Sequence, residues 1–355
     1  MQLRQLEEPK KSGVLGPLVY LAVVVIIIIF VFSNLPFLSS LVNLEGLRSN
    51  VGSSNQSIST QYATLGNSSV TITYPPDYST LANYALGIIN QNRTNSGASA
   101  VTLSPIQSGQ QHADSMLQSG YFSHWDTQGY KPYMRYTLLN GTGFVDENVA
   151  YEINTRAFDT LQGRENGINV LQWDMVYNDS ACCQNGHERN ILNATHNRVS
   201  IGVAYDTDHL YFVEDFENYY INLNASSVFS ASSGTVTLQG STSTPLNPSS
   251  VQVYYDSTPT SLSASQLNSI YQKPYDPGTF VGGVLPSCLV NCATFPGAVT
   301  VYASTWTVGQ NSIDIAFSIS DFVKAQGSGV YTIYLTQGNG RGAEYYTSIS
   351  LFVQT

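Results

Sequence analysis

Charge is what this chain has least of. Only 11% of its 355 residues are Asp, Glu, Lys or Arg, and the basic share is the smaller one, 14 against 24, for a net charge of -10. Nucleic-acid phosphates and anionic lipid surfaces are recognised mainly by clustered Lys and Arg, so the charge balance argues against both as partners. Histidine is scarcer, with five in all and none beyond His209. Cysteine is confined to Cys182, Cys183, Cys288 and Cys292. Neither pair has the two-residue spacing of a zinc knuckle, which argues against a structural four-cysteine zinc site. No nucleophile motif is present, so hydrolysis through an activated Ser or Cys has no signature here.

One stretch lacks charge altogether. No ionisable side chain of that kind lies between Lys11 and Glu45, and Val14 to Phe32 is almost wholly apolar, long enough as a helix to cross a hydrocarbon core of ~30 Å. Arg4, Lys10 and Lys11 precede it and no basic residue follows until Arg48, so the positive-inside bias puts the N-terminus in the cytosol and the remainder outside the cell. The expected layout is a cytosolic segment 1–11, a single-pass transmembrane anchor 12–34 and a flexible Ser/Asn-rich tether 35–73. A cleaved signal peptide, which would release the protein, is the competing reading; the apolar run exceeds the usual span of about 7 to 15 residues and no A-x-A site follows.

Export permits disulfides. Cys288 and Cys292 are spaced to close a small loop, whereas Cys182 and Cys183 are open to a vicinal bridge, free thiols or other partners. Sequons begin at Asn55, Asn67, Asn92, Asn140, Asn178, Asn193 and Asn224, as sites for glycans or as the chance product of a chain rich in Asn, Ser and Thr.

Two regions follow the tether. Over 74–224, helical periodicity marks Leu81, Tyr84, Ala85, Ile88 and Ile89, then Ser104 to Ser119, then Ile168 to Tyr177; Val199 to Tyr205 and Leu210 to Phe216 read as an antiparallel hairpin. Over 225–355 the helical period disappears, and runs such as Val251 to Tyr255, Ile313 to Ile319 and Val330 to Leu335 alternate large with small polar residues. That pattern predicts a separate all-β domain, sandwich-like, serving as spacer, attachment surface or partner-binding module.

The chemistry concentrates in YFSHWDTQG (121–129), DENVAY (146–151) and NGHERNIL (185–192), which supply His124, Glu147 and His187. Two imidazoles and a carboxylate are a three-ligand set for zinc with an open position, or the parts of an acid/base site. The alternative is a buried network in which they satisfy one another. Arg135, Asn148 and Asp215 read as structural, and His112, His196 and His209 as surface residues.

In order and spacing, these motifs, with NYALGIINQNRTNSG before them and VSIGVAY and YFVEDF after, resemble the CAP superfamily of cysteine-rich secretory, antigen 5 and pathogenesis-related proteins, in its prokaryotic SCP-like extracellular branch, over about Tyr78 to Phe216. The resemblance implies an α+β fold, an α-β-α sandwich with a central cleft in which His124, Glu147 and His187 bind ligand and, in some members, zinc or another divalent cation. It also implies departures. The family's glycine before the glutamate is Asp146, a second cleft glutamate would fall on Val176 with Asp174 or Asp179 as substitutes, and Glu188 stands where arginine is usual. Three functions compete: a membrane-anchored binding module for a small molecule, lipid, peptide or envelope component; a structural or adhesive surface protein acting through its β-domain; and a metal-assisted, peptidase-like hydrolase using His124, Glu147 and His187.

Overall fold

A computed structural model of the chain describes residues 61–62, 72–225, 228–230, 233–338 and 344–354. The segments 1–11 and 12–34 and most of 35–73 lie outside the described residues, among which no helix is long and apolar enough to cross a membrane.

After a two-residue strand, β1 (Gln61–Tyr62), helix α1 (Tyr78–Asn95) buries Leu81, Ala85 and Ile89 on one stripe, the four-residue spacing of a single helix face. Then come β2 (Thr102–Leu103), α2 (Ser108–Ser119) and α3 (Pro132–Leu138), whose proline occupies the first turn, where its missing N–H costs nothing. They are followed by β3 (Phe144–Ile153), α4 (Leu161–Tyr177), the single turn α5 (Ser180–Cys183) and α6 (Gly186–Ile191). The expected hairpin is β4 (Arg198–Tyr205) and β5 (His209–Asn218). Helix α4 starts a full two turns before the apolar residues that announce it, at a Thr160 cap whose hydroxyl accepts from the Gly163 N–H.

The sheet runs β2-β4-β5-β3, parallel only between β2 and β4. Alternation along β4 decides the layers. Val199, Ile201 and Val203 join Ile168 of α4 and Ile89 of α1 in one core, while Ala204 and Val213 meet Ala113 and Met116 of α2 on the other face. The result is an α-β-α sandwich. Small residues let α2 lie almost on the strand: the Gly109 N–H donates to Ser200 Oγ at 3.1 Å, and a Cβ on Gly202 would collide with the Gly109 carbonyl.

Downstream lie β6 (Ile221–Leu223), β7 (Phe229–Ser230), β8 (Thr235–Thr242), β9 (Ser250–Asp256), α7 (Ala264–Ser269), β10 (Thr279–Leu285), β11 (Val299–Tyr302), β12 (Thr305–Val308), β13 (Ser312–Ser318), α8 (Ser320–Gln326), β14 (Gly329–Gln337), β15 (Glu344–Tyr345) and β16 (Ile349–Gln354). One sheet has the order β1-β16-β14-β9-β10-β11 with β15 beside β14; the other is β12-β13-β8-β6 with β7 beside β8. Val253, Ile333 and Leu335 of the first share a core with Leu238, Ile313 and Ile315 of the second, as a β-sandwich does. Gln61 and Tyr62, from the expected tether, pair with Gln354 and Val353 at its edge.

The sandwich is not the separate body the sequence suggests. Both regions belong to one compact unit. Gly329 to Thr336 of β14 are buried without interruption, because Tyr331 and Ile333 face the sandwich core while Val330 packs with Tyr133, Tyr136 and Val145 of the first region. The small polar residues that alternate with the large ones point at a second protein layer. The Val145 N–H donates to Ser348 Oγ (3.1 Å), the Ser350 N–H to Thr137 Oγ1 (3.0 Å) and Asn218 Nδ2 to the Tyr345 carbonyl (2.8 Å).

Candidate functional site

β3 is the free edge of the α-β-α sheet, and Glu147 lies in its middle with its side chain fully enclosed. Arg135 Nη2 donates to Glu147 Oε2 at 2.6 Å, His112 Nδ1 lies 2.7 Å from the same oxygen, and His124 Nδ1 is 2.9 Å from Oε1. Burial works against the charge, yet His112 and Arg135, with the hydrogen bonds from His112 and His124, hold the Glu147 carboxyl well below the usual carboxylate range. Burial, and after it the Arg135 charge, push the His112 imidazole below its ordinary value, so the lasting cation facing Glu147 is Arg135. Arg135 also donates to the carbonyls of His124 (2.9 Å) and Tyr130 (2.8 Å), tying the His124 loop to α3. Asp215, directly across from Glu147 on β5, is mid-strand and accepts from Ser108 Oγ at 2.5 Å, and burial and the Glu147 charge push its carboxyl well above the usual range.

His124 is therefore oriented from behind. Its Nδ1 is engaged, its ring meets Tyr275 edge-on at 4.9 Å, and Nε2 is the nitrogen left to a ligand. His187 occupies the other wall, on α6. Its Nδ1 is 2.6 Å from Asp179 Oδ1, and Asp179 Oδ2 accepts the Glu188 N–H at 3.2 Å. Of the two proposed substitutes for the missing glutamate, Asp179 is the one that pairs with a histidine; Asp174 lines the cleft and bonds Asn178. Asn148 has the structural role expected of it: it accepts from Asn190 Nδ2 (3.0 Å) and donates to Glu214 (3.0 Å), fixing α6 to β3.

Between the walls lies a cleft of about 940 Å³, lined by His124, Glu147 and His187 together with Asp179, the cysteines Cys182 and Cys183, and the aromatic rings of Phe122 and Tyr151. Its remaining side comes from the sandwich. Tyr271 to Tyr275, in the connection between β9 and β10, reach across the first region. The Tyr275 hydroxyl donates to Asp146 Oδ1 at 2.5 Å and accepts the Glu147 N–H at 2.7 Å, closing the free edge of β3. Asp146, at the position of the family's glycine, needs no unusual backbone angle. It is an ordinary strand residue with a negative φ, and its carboxylate is an anchor for the sandwich.

Sequence reasoning missed His112, Tyr275 and the pairing of Asp179. His112 and His196 are buried, not on the surface, and His209 is half-buried. His112 carried a readable signal: Gly109, His112, Ala113 and Met116 have the i, i+3, i+4, i+7 spacing of the buried stripe of α2. Tyr275 carried none, since it comes from another layer. Cys182 is bridged to Cys183 and Cys288 to Cys292. The sequon asparagine Asn92 is buried on α1 and accepts from the Tyr177 hydroxyl, leaving no room for a glycan.

No family model matches the sequence, and no curated protein matches it. Among solved structures, the chain is similar to an extracellular protein containing an SCP domain from Bacillus anthracis str. Ames, with 18% identity and a TM-score of 0.31, over 41% of this chain and 45% of that one. It is also similar to the CAP domain of Enterococcal PrgA, with 11% identity and a TM-score of 0.31, over 41% of this chain and 63% of that one. The similarity is to CAP domains. The aligned parts make up less than two thirds of either of those chains.

A divalent ion is the group that a CAP resemblance implies for His124, Glu147 and His187. Glu147 has no idle oxygen to give one, because Arg135, His112 and His124 occupy both. Among the described residues, the donors that lie within 4.8 Å of one another are Asp179, Cys182, Cys183 and His187, so His187 alone is common to both sets.

Proposed function

We propose that this chain is an extracellular binding protein of CAP type whose ligand lies in the cleft between His124 and His187. The observation that carries this is the composite wall: Tyr271 and Tyr275 from the β-sandwich complete a cleft whose other residues come from the α-β-α layers. A domain serving only as spacer or adhesin has no need to close a neighbour's cleft. The volume of about 940 Å³ suits a small molecule or a few residues of a polymer. Aromatic faces at Phe122, Tyr151 and Tyr271, two of them in contact with a centroid distance of 4.4 Å, lie beside imidazole and amide groups. That mixture favours a saccharide or peptide of the cell envelope over a lipid tail, which would need an enclosed apolar channel.

The hydrolytic reading has less support. A carboxylate serving as general base needs a pKa near the working pH, and Glu147 is held far below that by its three partners. The cysteines beside His187 are bridged to each other. Membrane attachment through 12–34 stays the expectation from the apolar run, and the N-terminal segment would hold the cleft outside the cell.

Saturation-transfer NMR on the full chain, with panels of soluble oligosaccharides and of mixed short peptides, tests the reading. Transfer to one panel that is lost in Tyr271→Ala combined with Phe122→Ala supports it. Transfer to neither panel, or transfer that survives the double variant, overturns it.

A further inference from the structure

We propose that Asp179, Cys182, Cys183 and His187 form a thiol-dependent site for a zinc-class cation on the cleft wall, closed when the two cysteines are bridged and open when they are reduced. The four side chains each offer one ligand atom, and these atoms lie within 4.8 Å of one another. Two thiolates, an imidazole and a carboxylate are a soft-leaning mixed set that suits four-coordinate zinc. The set is distinct from the His124–Glu147 pair, and neither of those residues belongs to it.

Local structure shows how the chain brings these groups together. α5 is a single turn, Ser180–Cys183, that ends on Gln184 with φ 53° and Asn185 with φ 59°. Two consecutive non-glycine residues in the left-handed region are an uncommon backbone arrangement. They turn the chain back so that His187 meets Asp179 eight positions earlier. Asp179 Oδ1 is the hub: it is 2.6 Å from His187 Nδ1 and 3.6 Å from Cys182 Sγ, while Oδ2 is held by the Glu188 N–H. The carboxylate is buried, with 1% of its side chain exposed, yet among the described residues no Lys or Arg pairs with it. A buried carboxylate with one imidazole and one backbone N–H beside it, and no guanidinium or ammonium, is well placed to accept a cation. Both cysteines and His187 line the cleft, which gives an ion its way in.

The redox step balances with a dithiol as co-reactant. The dithiol attacks the Cys182–Cys183 bond and is itself oxidised to a disulfide, and two electrons and two protons pass to the cysteine sulfurs. Zinc then replaces the two thiol protons, which go to solvent. Re-oxidation removes both thiolate ligands together, so bridge and ion exclude each other.

The test is cobalt and zinc binding by the full chain. After reduction with an excess of dithiol and its removal under argon, one equivalent of Co²⁺ is expected to give the near-ultraviolet sulfur-to-metal band and intense visible bands of a tetrahedral thiolate site, and Zn²⁺ to bleach them. The oxidised chain gives neither. Cys182→Ser with Cys183→Ser abolishes the bands, Asp179→Asn and His187→Ala each weaken Zn²⁺ binding at least tenfold, and Cys288→Ser with Cys292→Ser, which removes the other bridge, changes nothing. Bands that persist without Cys182 and Cys183, or a reduced wild-type chain that binds no more Zn²⁺ than the oxidised one, overturn the proposal. Ligand transfer in the cleft is read on the oxidised chain, so failure here leaves the saccharide or peptide reading standing, and the reverse.

Discussion

The two histidine-bearing walls of the cleft contain the same kinds of residue and use them in opposite ways. At the His124 wall, Glu147 is enclosed, both of its oxygens are taken by Arg135, His112 and His124, and its negative charge has a buried guanidinium to answer it. At the His187 wall, Asp179 is equally buried but has one imidazole, one backbone N–H and a pair of cysteines for company. A saturated carboxylate holds structure, because every lone pair it could offer is already spent on protein donors. An under-compensated one is free to recruit a ligand. The contrast explains how a glutamate in a family-like motif can be part of the scaffold while a loop aspartate beside a cysteine pair takes the chemical role.

If that contrast is right, the largest stability loss belongs to the His124 wall. Arg135→Met leaves Glu147 charged and enclosed without its cation, and chemical denaturation is expected to show a loss of about 3 to 5 kcal/mol; a loss below about 1 kcal/mol would break the comparison. Next in size is the layer beneath. Gly202→Val forces α2 off β4 at Gly109, for about 1 to 3 kcal/mol by the same measurement.

A third experiment compares Glu147 with Glu214, its neighbour one strand away, which bonds Asn148. Burial raises the Glu214 carboxyl to about 8 in the fold. Between the unfolded value of about 4.3 and about 8, the unfolded chain loses a proton that the folded chain keeps, so this group's contribution makes stability fall as pH rises through that window. Glu147 has the opposite sign: its contribution is full above the unfolded value and is lost as pH falls toward its lower folded one. Melting temperatures taken from pH 5 to pH 8 are expected to decline less steeply in Glu214→Gln than in wild type. An unchanged slope would mean that Glu214 is ionised in the fold. The smallest effect is Tyr275→Phe, which removes the hydroxyl joining the sandwich to Asp146 and to the β3 edge. A loss of about 1 kcal/mol is expected, with cleft ligand binding weakened more than stability; equal binding by the variant would show that the sandwich wall is not used.

Much of the first region was legible because its signals are local. Helix faces repeat at 3.6 residues and strand faces at two, so Leu81, Ala85 and Ile89 on α1 and Val199, Ile201 and Val203 on β4 declared their core positions. His124, Glu147 and His187 could be found because their segments stand out in a chain with five histidines. What was not legible depends on contacts between distant layers. Ser348 and Ser350 look like solvent-facing residues of an edge strand until α3 and β3 are placed over them. Tyr275 is one of 24 tyrosines, and nothing around it announces that its hydroxyl spans two carboxylate-bearing residues of another layer. Asp179 could be named as a candidate, but its aim is set by the left-handed turn at Gln184 and Asn185; the Asn185-Gly186 pair marks a turn without telling which side chain the turn brings to Asp179.

The claim that the His187 wall carries the binding chemistry and the Glu147 network holds the frame is tested most directly by equilibrium dialysis of the dithiol-reduced full chain against Zn²⁺, comparing His187→Ala with His124→Gln, each checked for folding by circular dichroism. The account predicts that His124→Gln keeps one bound ion per chain and His187→Ala loses it. Loss in His124→Gln with retention in His187→Ala would contradict it.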